Sequence, residues 1–533
     1  MYYAVTSKSM KMIDDYAIEE IKIPSMVLME RAAYETVSHM KKDLHKRDRI
    51  LAVCGPGNNG GDGIAAGRIL YLQGYHVAIL FLGDESKASK ETKLQLTIAK
   101  NIGIPFVESH QIWDYDILID AIFGVGLSRP VTGVYEAVIK NMNQGNQRIY
   151  SVDIPSGISA DHGQVMNVAV KANVTITFGY AKIGMLLLPG AEYCGEIKVV
   201  DIGFPINGEQ KAKLDTFYYG LEDLSLLPLR KKDSHKGSYG KVLVIAGSEG
   251  MSGAAYLAAK AAYRTGAGLV KVLTSSSNRL ILQSTLSEAL FEAYDAYGKS
   301  NDEWEKRIAE NLSWASVIII GPGLGQTAFT EKLLDFVLIE AKVPVIIDAD
   351  GLNLLAKKMD RQALLGQERI NFLSKLLKAH AILTPHPMEL SRLLKRELSE
   401  ISNNIIDTAR ECSYNNKLIY VMKDARTIVS RQGKLYINIS GNNGMATGGS
   451  GDVLTGIIAG LYAQGMEAFE ASCLGVYIHG LAGDIAASKH SNYSMLAGDI
   501  VDALGDVFRG ETLNLMEDRV FDYYKPMGKQ HLN

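Results

Sequence analysis

Short, largely apolar runs alternate with helix-length segments of mixed polarity along most of the chain. The runs span residues 50–54, 77–82, 117–121, 149–152, 242–246, 317–320, 343–348, 381–384 and 418–422. Runs without strict apolar and polar alternation are typical of parallel strands, because helices cover both faces of such a sheet. The pattern therefore predicts an α/β fold with parallel sheets, and a first long helix over residues 26–40.

The strand rhythm lapses between about Gly203 and Gly240, where the sequence is polar, charged and punctuated by glycine. At 533 residues the chain is also too long for one ordinary hydrophobic core. These features predict a domain boundary near residue 215, with one domain over residues 1–215 and another over residues 216–533. Beyond about Gly510 the chain is polar and irregular, and we expect this tail to be loosely held.

Composition and charge narrow the partners of the protein. Hydrophobic residues make up 47% and charged residues 22% of the chain, and the formal net charge is −3. This charge gives no broad electrostatic attraction for nucleic acid or anionic lipid. The sequence also contains no run of about 18 uncharged apolar residues, the length that a membrane-spanning helix needs. We expect a cytoplasmic protein that binds small molecules. The four cysteines lack metal-site spacing, so we expect reduced packing residues.

A first glycine-rich loop, Gly55-Pro-Gly-Asn-Asn-Gly-Gly-Asp-Gly63, follows the first apolar run. It contains a G-x-G-x-x-G spacing, and Asp84 lies at the end of the next run, where an acid could bind a ribose. Glycines let backbone N–H groups approach a phosphate, and the start of the following helix favours an anion. The loop therefore predicts nucleotide binding, a property that a dehydrogenase and other nucleotide-binding enzymes would share.

Polar side chains accumulate where three of the predicted strands end. Asn58, Asn59 and Asp62 lie in the glycine-rich loop, Asp120 precedes a second glycine-containing loop, and Asp153 opens the sequence Asp-Ile-Pro-Ser-Gly157. The carboxyl ends of parallel strands form the ligand-binding edge of open α/β sheets. Each residue alone has an alternative role as a helix cap or turn residue. Their recurrence at three strand ends favours a shared site.

A second glycine-rich loop, Gly444-Met-Ala-Thr-Gly-Gly-Ser-Gly-Asp452, precedes a helix that we expect to start near Val453. Its small residues expose backbone N–H groups at a helix N-terminus, which would stabilise the charge on a transferring phosphoryl group. Asp452 would repel phosphate at this place unless it deprotonates an attacking hydroxyl. The chain contains no P-loop sequence G-x-x-x-x-G-K-[ST], so this loop is the candidate phosphate site.

The motifs Gly-Asn-Asn-Gly-Gly-Asp-Gly, Asp-Ala-Ile-Phe-Gly-Val-Gly and Asp-Ile-Pro-Ser-Gly, in this order, resemble the NAD(P)HX epimerase family over residues 5–205. The resemblance implies a Rossmann-like three-layer domain that interconverts the R and S forms of NAD(P)HX, which is NAD(P)H hydrated at C6. It implies that Asp153 is the acid/base. Lys182 lies in a further shared segment, and we interpret it as a solvated lysine.

The resemblance also implies ligand sets for this first domain. The residues that would bind NAD(P)HX are Asn58, Asn59, Gly60, Gly61, Asp62, Gly124, Val125, Gly126, Leu127, Ser128, Arg129, Pro130 and Asp153. The residues that match the potassium ligands of the family are Asn59, Asp120 and Ser156. Their oxygen atoms suit a hard, weakly bound cation better than zinc.

The second half resembles the ribokinase-like superfamily, and within it the NAD(P)HX dehydratases, over residues 235–505. The motifs that carry this are Gly321-Pro-Gly-Leu-Gly325, Asp348-Ala-Asp-Gly-Leu-Asn353, Thr384-Pro-His-Pro-Met-Glu389 and the second glycine-rich loop. By resemblance, NAD(P)HX would contact Ala254, Gly325, His386 and Asp452. ADP or ATP would contact Lys423, Asp424, Ala425, Arg426, Thr427 and Gly451.

Three residues qualify this second resemblance. Asp424 stands where the family commonly has glycine, so we expect backbone contacts there, and Asn443 stands where proline is common. His386 lies between Pro385 and Pro387, so a structural role in a rigid turn is its alternative.

The implied chemistry explains a kinase-like domain in a dehydratase. Hydroxide is a poor leaving group, and phosphorylating the C6 hydroxyl of the S form makes its loss easy. Asp452 would take the hydroxyl proton, and Mg²⁺ would bridge the donor phosphates. The residues do not distinguish ADP from ATP, although a bacterial-style fusion favours ADP. The resemblance also implies a homo-oligomer.

Three other functions fit parts of the sequence. A small-molecule kinase with a nucleotide-binding first domain leaves Asp120 and Asp153 without a role. A nicotinamide-dependent dehydrogenase explains the first glycine-rich loop but not the second half. A dinucleotide sensor without catalysis would bind NAD(P)HX and leave it unchanged.

Overall fold

A computed structural model describes residues 1–295, 301–377, 381–414, 417–510 and 521–523. The chain divides into two compact units. The N-terminal unit contains Tyr3–Thr216 and residues 521–523, and the C-terminal unit contains Met1–Tyr2 and the described residues from Phe217 to Gly510. The division therefore lies between Thr216 and Phe217.

The N-terminal unit is built on a parallel sheet. Its strands are β2 (Arg49–Cys54), β3 (His76–Phe81), β4 (Ile117–Ala121), β5 (Arg148–Val152), β6 (Val174–Phe178), β8 (Glu196–Val200) and β19 (Phe521–Tyr523). Their order in the sheet is β19, β8, β6, β5, β4, β2, β3. A further parallel pairing joins β1 (Tyr2–Val5) to β7 (Ala181–Lys182).

Helices cover both faces of this sheet. They are α1 (Ser7–Asp15), α2 (Ser25–Met40), α3 (Asn58–Leu72), α4 (Lys90–Ile102), α5 (Val134–Gln144), α6 (Ile183–Leu186) and α7 (Gly208–Lys211). Alternate residues of β2 serve opposite faces, since Ile50 packs in the apolar cluster with α2, α3 and α4, and Leu51 packs in the cluster with α5. The predicted three-layer α/β arrangement is confirmed for this unit.

The C-terminal unit has a mixed sheet. Its strands are β9 (Thr216–Tyr218), β10 (Lys241–Ile245), β11 (Leu269–Thr274), β12 (Leu290–Ala293), β13 (Val317–Ile320), β14 (Val345–Ile347), β15 (Ile382–Leu383), β16 (Ile419–Met422), β17 (Ile428–Arg431) and β18 (Lys434–Ile437). Their order in the sheet is β12, β11, β10, β13, β14, β15, β16, β17, β18, β9. The pairs from β12 to β16 are parallel, and β16, β17 and β18 pair antiparallel.

The helices of this unit pack closely on its sheet. They are α8 (Ser252–Arg264), α9 (Arg279–Thr285), α10 (Asn301–Trp314), α11 (Ala328–Glu340), α12 (Asp350–Arg361), α13 (Gln367–Leu376), α14 (Pro387–Leu394), α15 (Leu398–Asn403), α16 (Ile405–Ser413), α17 (Ser450–Ala463), α18 (Ala468–His490) and α19 (Ala497–Arg509). In α17, a Cβ on Gly456 would collide with the carbonyl oxygen of Ala258 in α8. The small residue thus lets these two helices approach closely.

The structure confirms the parallel α/β pattern and corrects two details. The lapse after Gly203 is interrupted by β9, whose three residues are too few to show a pattern. Helix α17 begins at Ser450 rather than near Val453, because glycine and serine of the loop already form its first turn. The four cysteines are buried and free, as expected.

Two further expectations concern the C-terminal tail and membrane-spanning helices. Most of the tail beyond Gly510 lies outside the described residues, and within it Phe521–Tyr523 pairs parallel with β8. Among the described helices, we find none that is both long and apolar enough to cross a membrane.

Candidate active sites

The first glycine-rich loop joins β2 to α3 through close backbone contacts. A Cβ on Gly55 would collide with the carbonyl oxygen of Ile122, and one on Gly60 would collide with that of Gly55. Helix α3 begins at Asn58, so the predicted ligand residues Asn58 to Asp62 form its first turn rather than a free loop. The N–H groups at such a helix start suit an anion.

The predicted potassium ligands share one end of the sheet. Asp120, at the end of β4, is fully buried, and its carboxylate accepts hydrogen bonds from the Ser151 hydroxyl at 2.7 Å and the Ser156 amide at 2.9 Å. Burial raises the pKa of Asp120, and these bonds oppose the rise. The Ser156 hydroxyl oxygen accepts the Phe123 amide at 2.8 Å.

Asn59 completes the predicted potassium set from the first turn of α3. A Cβ on Gly124, the residue after Phe123, would lie 3.2 Å from the Asn59 side chain, so the two are in close contact. The amide nitrogen of Asn59 is buried and has no hydrogen-bond partner within the described chain. An unsatisfied buried amide is costly, and oxygen and nitrogen of an asparagine amide are assigned from the surrounding network.

The loop of residues 124–130 runs from β4 toward α5 and is partly exposed. Val125 and Leu127 pack against two apolar clusters of the unit, which anchors the loop, while Gly126, Ser128, Arg129 and Pro130 are exposed. Their contacts with NAD(P)HX stay predictions.

Asp153 follows β5 in a strained backbone conformation. Its φ is +68°, in the left-handed region, and its amide donates to the Ile176 carbonyl at 2.7 Å. Such conformations in residues other than glycine are costly and concentrate at functional sites. The Asp153 carboxylate is 12% exposed and forms an ion pair with Lys182.

Lys182 is fully buried, which corrects our interpretation of it as a solvated lysine. Besides Asp153, its ammonium donates to the Thr177 hydroxyl at 2.8 Å and the Phe178 carbonyl at 3.3 Å. Three acceptors compensate the desolvation of the charge. The sequence signal that could have indicated burial of Lys182 is its two apolar neighbours, Ala181 and Ile183.

Two further carboxyls lie within electrostatic reach of this pair. Burial, and then the charge of Asp153, raise the pKa of Asp14 to about 7. Burial, Asp153 and Asp14 raise the pKa of Asp62 well above its usual range, and Lys182 lowers both. Asp62 belongs to the predicted dinucleotide set. Asp14 was missed, because no motif marks it and its helix lies far from the glycine-rich loop in the sequence.

The second glycine-rich loop leads into α17 through Gly449, which has φ +93°. Ser450 begins the helix, and its hydroxyl lies 3.3 Å from Nε2 of His479 on α18. Burial lowers the pKa of His479 to about 4, so this imidazole is neutral at physiological pH. Asp452 lies in the first turn of α17, directly after the glycine run, as the sequence predicts.

A largely buried ion pair, Lys423 with Asp348, lies next to the first turn of α17. Lys423 donates to Asp348 at 2.6 Å, and the other oxygen of Asp348 accepts the Thr455 hydroxyl at 2.8 Å. Glu389 is 4.0 Å from the Lys423 ammonium. Burial raises the pKa of Asp452 to about 7, with further increases from Asp348 and Glu389 and a decrease from Lys423.

Asp348, Glu389 and Thr455 were not predicted as site residues. The first two open and close motifs that carried the family resemblance, and Thr455 lies three residues after Asp452, so motif membership and helical spacing were the available signals.

The predicted adenine nucleotide segment is the connection between β16 and β17. The Asp424 carboxylate accepts the Ala425 amide at 2.7 Å, and the Asp424 carbonyl accepts the Thr427 hydroxyl at 3.0 Å. Arg426 donates to the Ile439 carbonyl at 2.9 Å. Asp424 thus replaces the common glycine by holding the turn with its own side chain. A Cβ on Gly451 would lie 3.2 Å from the Lys423 ammonium, which brings this predicted pair together.

The remaining predicted substrate residues occupy different elements. The Gly325 amide donates to Asp350 at 2.8 Å in a left-handed turn with φ +79°, and Ala254 is buried in α8. His386 caps α14, because its Nδ1 accepts the amides of Met388 and Glu389 at 3.1 and 3.4 Å. This capping is the structural alternative for His386, and a substrate contact stays a prediction.

Two family models match the two parts of the chain. The model described as YjeF-related protein N-terminus matches residues 25–184, and the model of NAD(P)H-hydrate dehydratase matches residues 242–505. The class is therefore a fused α/β protein with a YjeF-related part ahead of a dehydratase-related part.

Relatives with the same fused organisation cover almost the whole chain. The bifunctional NAD(P)H-hydrate repair enzyme Nnr of Moorella thermoacetica is 36% identical in an alignment of length 530 that covers 95% of this chain and 97% of that one. The corresponding protein of Thermofilum pendens is 35% identical, over 94% of this chain and 95% of that one. The chain belongs to the family of bifunctional NAD(P)H-hydrate repair enzymes, and the resemblance expected from the motifs is confirmed.

A solved structure resembles the C-terminal unit. The ADP/ATP-dependent NAD(P)H-hydrate dehydratase of Bacillus subtilis, co-crystallised with ATP/Mg²⁺, is 29% identical with a TM-score of 0.45, and the match covers 55% of this chain and 98% of that one.

Proposed function

We propose that this chain repairs hydrated NAD(P)H in two steps, with epimerisation at Asp153 and nucleotide-dependent dehydration of the S form at Asp452. The observation that carries the proposal is the state of Asp452. This carboxyl lies in the first turn of a helix that follows a glycine run, and its pKa is raised to about 7. A base with this pKa is matched to proton abstraction near neutral pH.

In the dehydratase step, Asp452 takes the proton of the C6 hydroxyl as the hydroxyl oxygen attacks the terminal phosphorus of the nucleotide. The bond from that phosphorus to the bridging oxygen breaks, and the nucleotide leaves shortened by one phosphate. The N–H groups at residues 448–451 stabilise the charge on the transferring phosphoryl group. The C6–O bond then breaks with release of phosphate, and loss of a proton from the neighbouring ring carbon restores NAD(P)H. Both the fused organisation and the motifs support this reaction over simple kinase chemistry.

The ligand contacts inferred from the motifs complete the proposal. In the N-terminal unit the first turn of α3 and the loop of residues 124–130 bind NAD(P)HX. In the C-terminal unit Ala254, Gly325, His386 and Asp452 contact NAD(P)HX, and Gly451 with residues 423–427 contacts the nucleotide. The contact of Gly451 with Lys423 supports this last group. We propose ADP as the donor, because the fused order matches bacterial relatives.

The two expected cations fit the chain differently. Asn59, Asp120 and Ser156 fit potassium, because Asp120 is a buried carboxylate bonded to neutral donors. The buried amide nitrogen of Asn59 has no partner among the described residues, so exchanging oxygen and nitrogen of this amide would present its oxygen to a cation. A bound potassium ion would supply positive charge next to the dinucleotide site. For Mg²⁺, the described residues contain no group of three His, Cys, Asp or Glu side chains placed to bind a metal. We propose a homo-oligomer from the family resemblance, and a cytoplasmic location from the sequence, in which no run of about 18 uncharged apolar residues occurs.

An Asp153→Ala variant tests the division of labour. With ADP, Mg²⁺ and both NADHX epimers supplied, wild type should restore nearly all NADH absorbance. The variant should rapidly restore the fraction already in the S form and then slow to the spontaneous epimerisation rate, because its dehydratase site is unchanged.

Other outcomes identify the alternatives. Complete and fast recovery by Asp153→Ala would show that Asp153 is structural or that one site handles both epimers. Phosphorylated product without NADH from wild type would indicate a kinase, and binding without conversion would indicate a sensor.

A further inference from the structure

Three neighbouring parallel strands of the C-terminal unit, β14, β15 and β16, end beside the start of α17. Asp348 directly follows β14, and Lys423 directly follows β16. The Lys423 amide donates to the carbonyl of Pro385, which lies after β15, at 2.8 Å. The carboxyl ends of parallel strands share one edge of the sheet, so the two side chains meet there, with the Lys423 ammonium 2.6 Å from the Asp348 carboxylate.

The Asp348 carboxylate joins the end of β16 to α17. One of its oxygens accepts the Lys423 ammonium, and the other accepts the hydroxyl of Thr455, in the second turn of α17, at 2.8 Å. The Thr455 hydroxyl also lies 2.9 Å from the Gly451 carbonyl. A hydroxyl has one proton to donate, and a carboxylate is the stronger acceptor because it is charged. The bond to Asp348 is therefore the stronger of the two.

Neutralising a buried charge does not by itself explain this arrangement. Thr455 is neutral, and yet its hydroxyl is directed at the carboxylate. A second carboxyl, that of Glu389, lies 4.0 Å from the Lys423 ammonium, which is beyond hydrogen-bonding distance. Among the described residues, Asp348 is the one hydrogen-bond acceptor found for this ammonium. An ammonium has three donors, so Lys423 can also bind a ligand.

The Lys423 ammonium lies against the first turn of α17. A Cβ on Gly451, the second residue of this helix, would lie 3.2 Å from the ammonium nitrogen and 3.9 Å from an oxygen of Asp348. The Lys423 side chain is 17% exposed, so the charge is accessible but poorly solvated. A positive charge is therefore held next to the N–H groups at residues 448–451, here called the phosphate cradle.

We propose that Asp348 is a positioning residue of the dehydratase, which clamps Lys423 to α17 through Thr455. The clamp places the ammonium beside the phosphate cradle, so that both act on the same transferring phosphoryl group. The inference rests on the proposed function of this site. Asp348 and Thr455 act through Lys423 and α17, without contacting the substrate.

The clamp should affect turnover more than nucleotide affinity. Charge on the transferring phosphoryl group is stabilised only by groups that are already in place, and a misplacement of about 1 Å can lower a rate about 100-fold. The proposed nucleotide contacts of residues 424–427 do not depend on Thr455, so ADP should still bind when the clamp is broken.

The test measures turnover as NADH recovery from purified S NADHX by full-length protein with ADP and Mg²⁺, and the Kd of ADP by calorimetry. Thr455→Val removes the hydroxyl and keeps the branched shape of the side chain. Its turnover should fall by at least about tenfold, while the Kd of ADP stays within about threefold of wild type. Thr455→Ser keeps the hydroxyl and should restore turnover to within about threefold of wild type.

Thr265→Val is the matched control. Thr265 is buried in the same unit, and its hydroxyl donates to the Ala261 carbonyl, four residues earlier, at 2.8 Å, with no carboxylate bonded to it among the described residues. Its turnover should stay within about twofold of wild type. Amide hydrogen exchange at the start of α17 in the free protein should be faster in Thr455→Val and unchanged in Thr265→Val.

A double-mutant cycle tests whether Thr455 acts through Asp348. Asp348→Asn keeps the shape of the side chain, but it removes the charge and one of the two acceptor oxygens, and turnover should fall by at least about tenfold. In this background Thr455→Val should cost less than about a further twofold, because the clamp is already broken. An equal loss in both backgrounds would show that Thr455 acts through its own helix, and would overturn the clamp.

The outcomes distinguish this inference from the proposed function. If wild type restores NADH and Asp452→Asn does not, while Asp348→Asn and Thr455→Val retain turnover, the positioning role is overturned and the dehydratase function stands. A loss of ADP affinity as large as the loss of turnover in Thr455→Val would also overturn the positioning role. Failure of wild type to restore NADH overturns both.

Discussion

In each unit a fully or mostly buried lysine pairs with an aspartate. The two units differ in whether that aspartate is the proposed acid or base of the reaction. In the N-terminal unit Lys182 pairs with Asp153, the proposed acid/base itself. In the C-terminal unit Lys423 pairs with Asp348, and the proposed base Asp452, on α17, has no ion-pair partner among the described residues.

This difference matches the two reactions. Dehydration needs one base that takes a proton and later loses it to solvent, and an unpaired carboxyl with a pKa of about 7 suits that cycle. Epimerisation needs a proton donor and a proton acceptor, and the proposed acid/base Asp153 lies directly beside the ammonium of Lys182.

Removal of the N-terminal lysine should have the largest effect. Lys182→Met leaves Asp153 buried without its cation, and we expect a loss of about 3–5 kcal/mol in the free energy of unfolding of this unit, together with loss of epimerisation. Denaturant unfolding and epimer separation measure the two effects. The exposed Lys140→Met is the control, since it removes a surface pair with Glu136. Near-wild-type stability would show that the ion pair is not important for the fold.

Loss of the C-terminal base should follow in size. Asp452→Asn should lower NADH recovery by at least about 100-fold while nucleotide binding stays largely intact, because the variant keeps the glycine loop. Calorimetric titration with ADP checks binding. Near-normal NADH recovery would refute the role of Asp452.

Potassium should affect the N-terminal activity alone. Replacing potassium by a bulky organic cation should slow epimerisation by roughly tenfold, about 1.4 kcal/mol, and leave dehydration of the S form unchanged. Sodium should restore part of the rate. An Asp120→Asn variant should lose the dependence, and a wild-type rate that ignores the cation would count against the site.

The smallest effect should come from a carboxyl near Lys423. The dehydratase base must be ionised, so the rate should fall as pH drops through about 7. Glu389→Gln removes a negative neighbour of Asp452 and should move this acid limb lower by about half a pH unit. The effect is small because burial also raises the pKa of Glu389, which reduces its charge. Exposed Glu340→Gln should leave the limb in place.

The sequence alone determined the α/β class, the two glycine-rich loops and the place of Asp120, Asp153 and Asp452 at strand or helix ends. These features are local, because strand periodicity, glycine spacing and helix starts are written in consecutive residues. The same local patterns could not show that β9 interrupts the polar segment, since a three-residue strand is stabilised by its neighbours in the sheet.

Only the tertiary structure decided which charges meet. Val5 and Lys182 are 177 positions apart in the sequence, and the β1–β7 pairing places them opposite each other. Lys423 and Asp348 likewise come from β16 and the end of β14. Sequence predicts an ionisable residue, whereas its protonation state depends on burial and on distant charges, which exist only after the chain has folded.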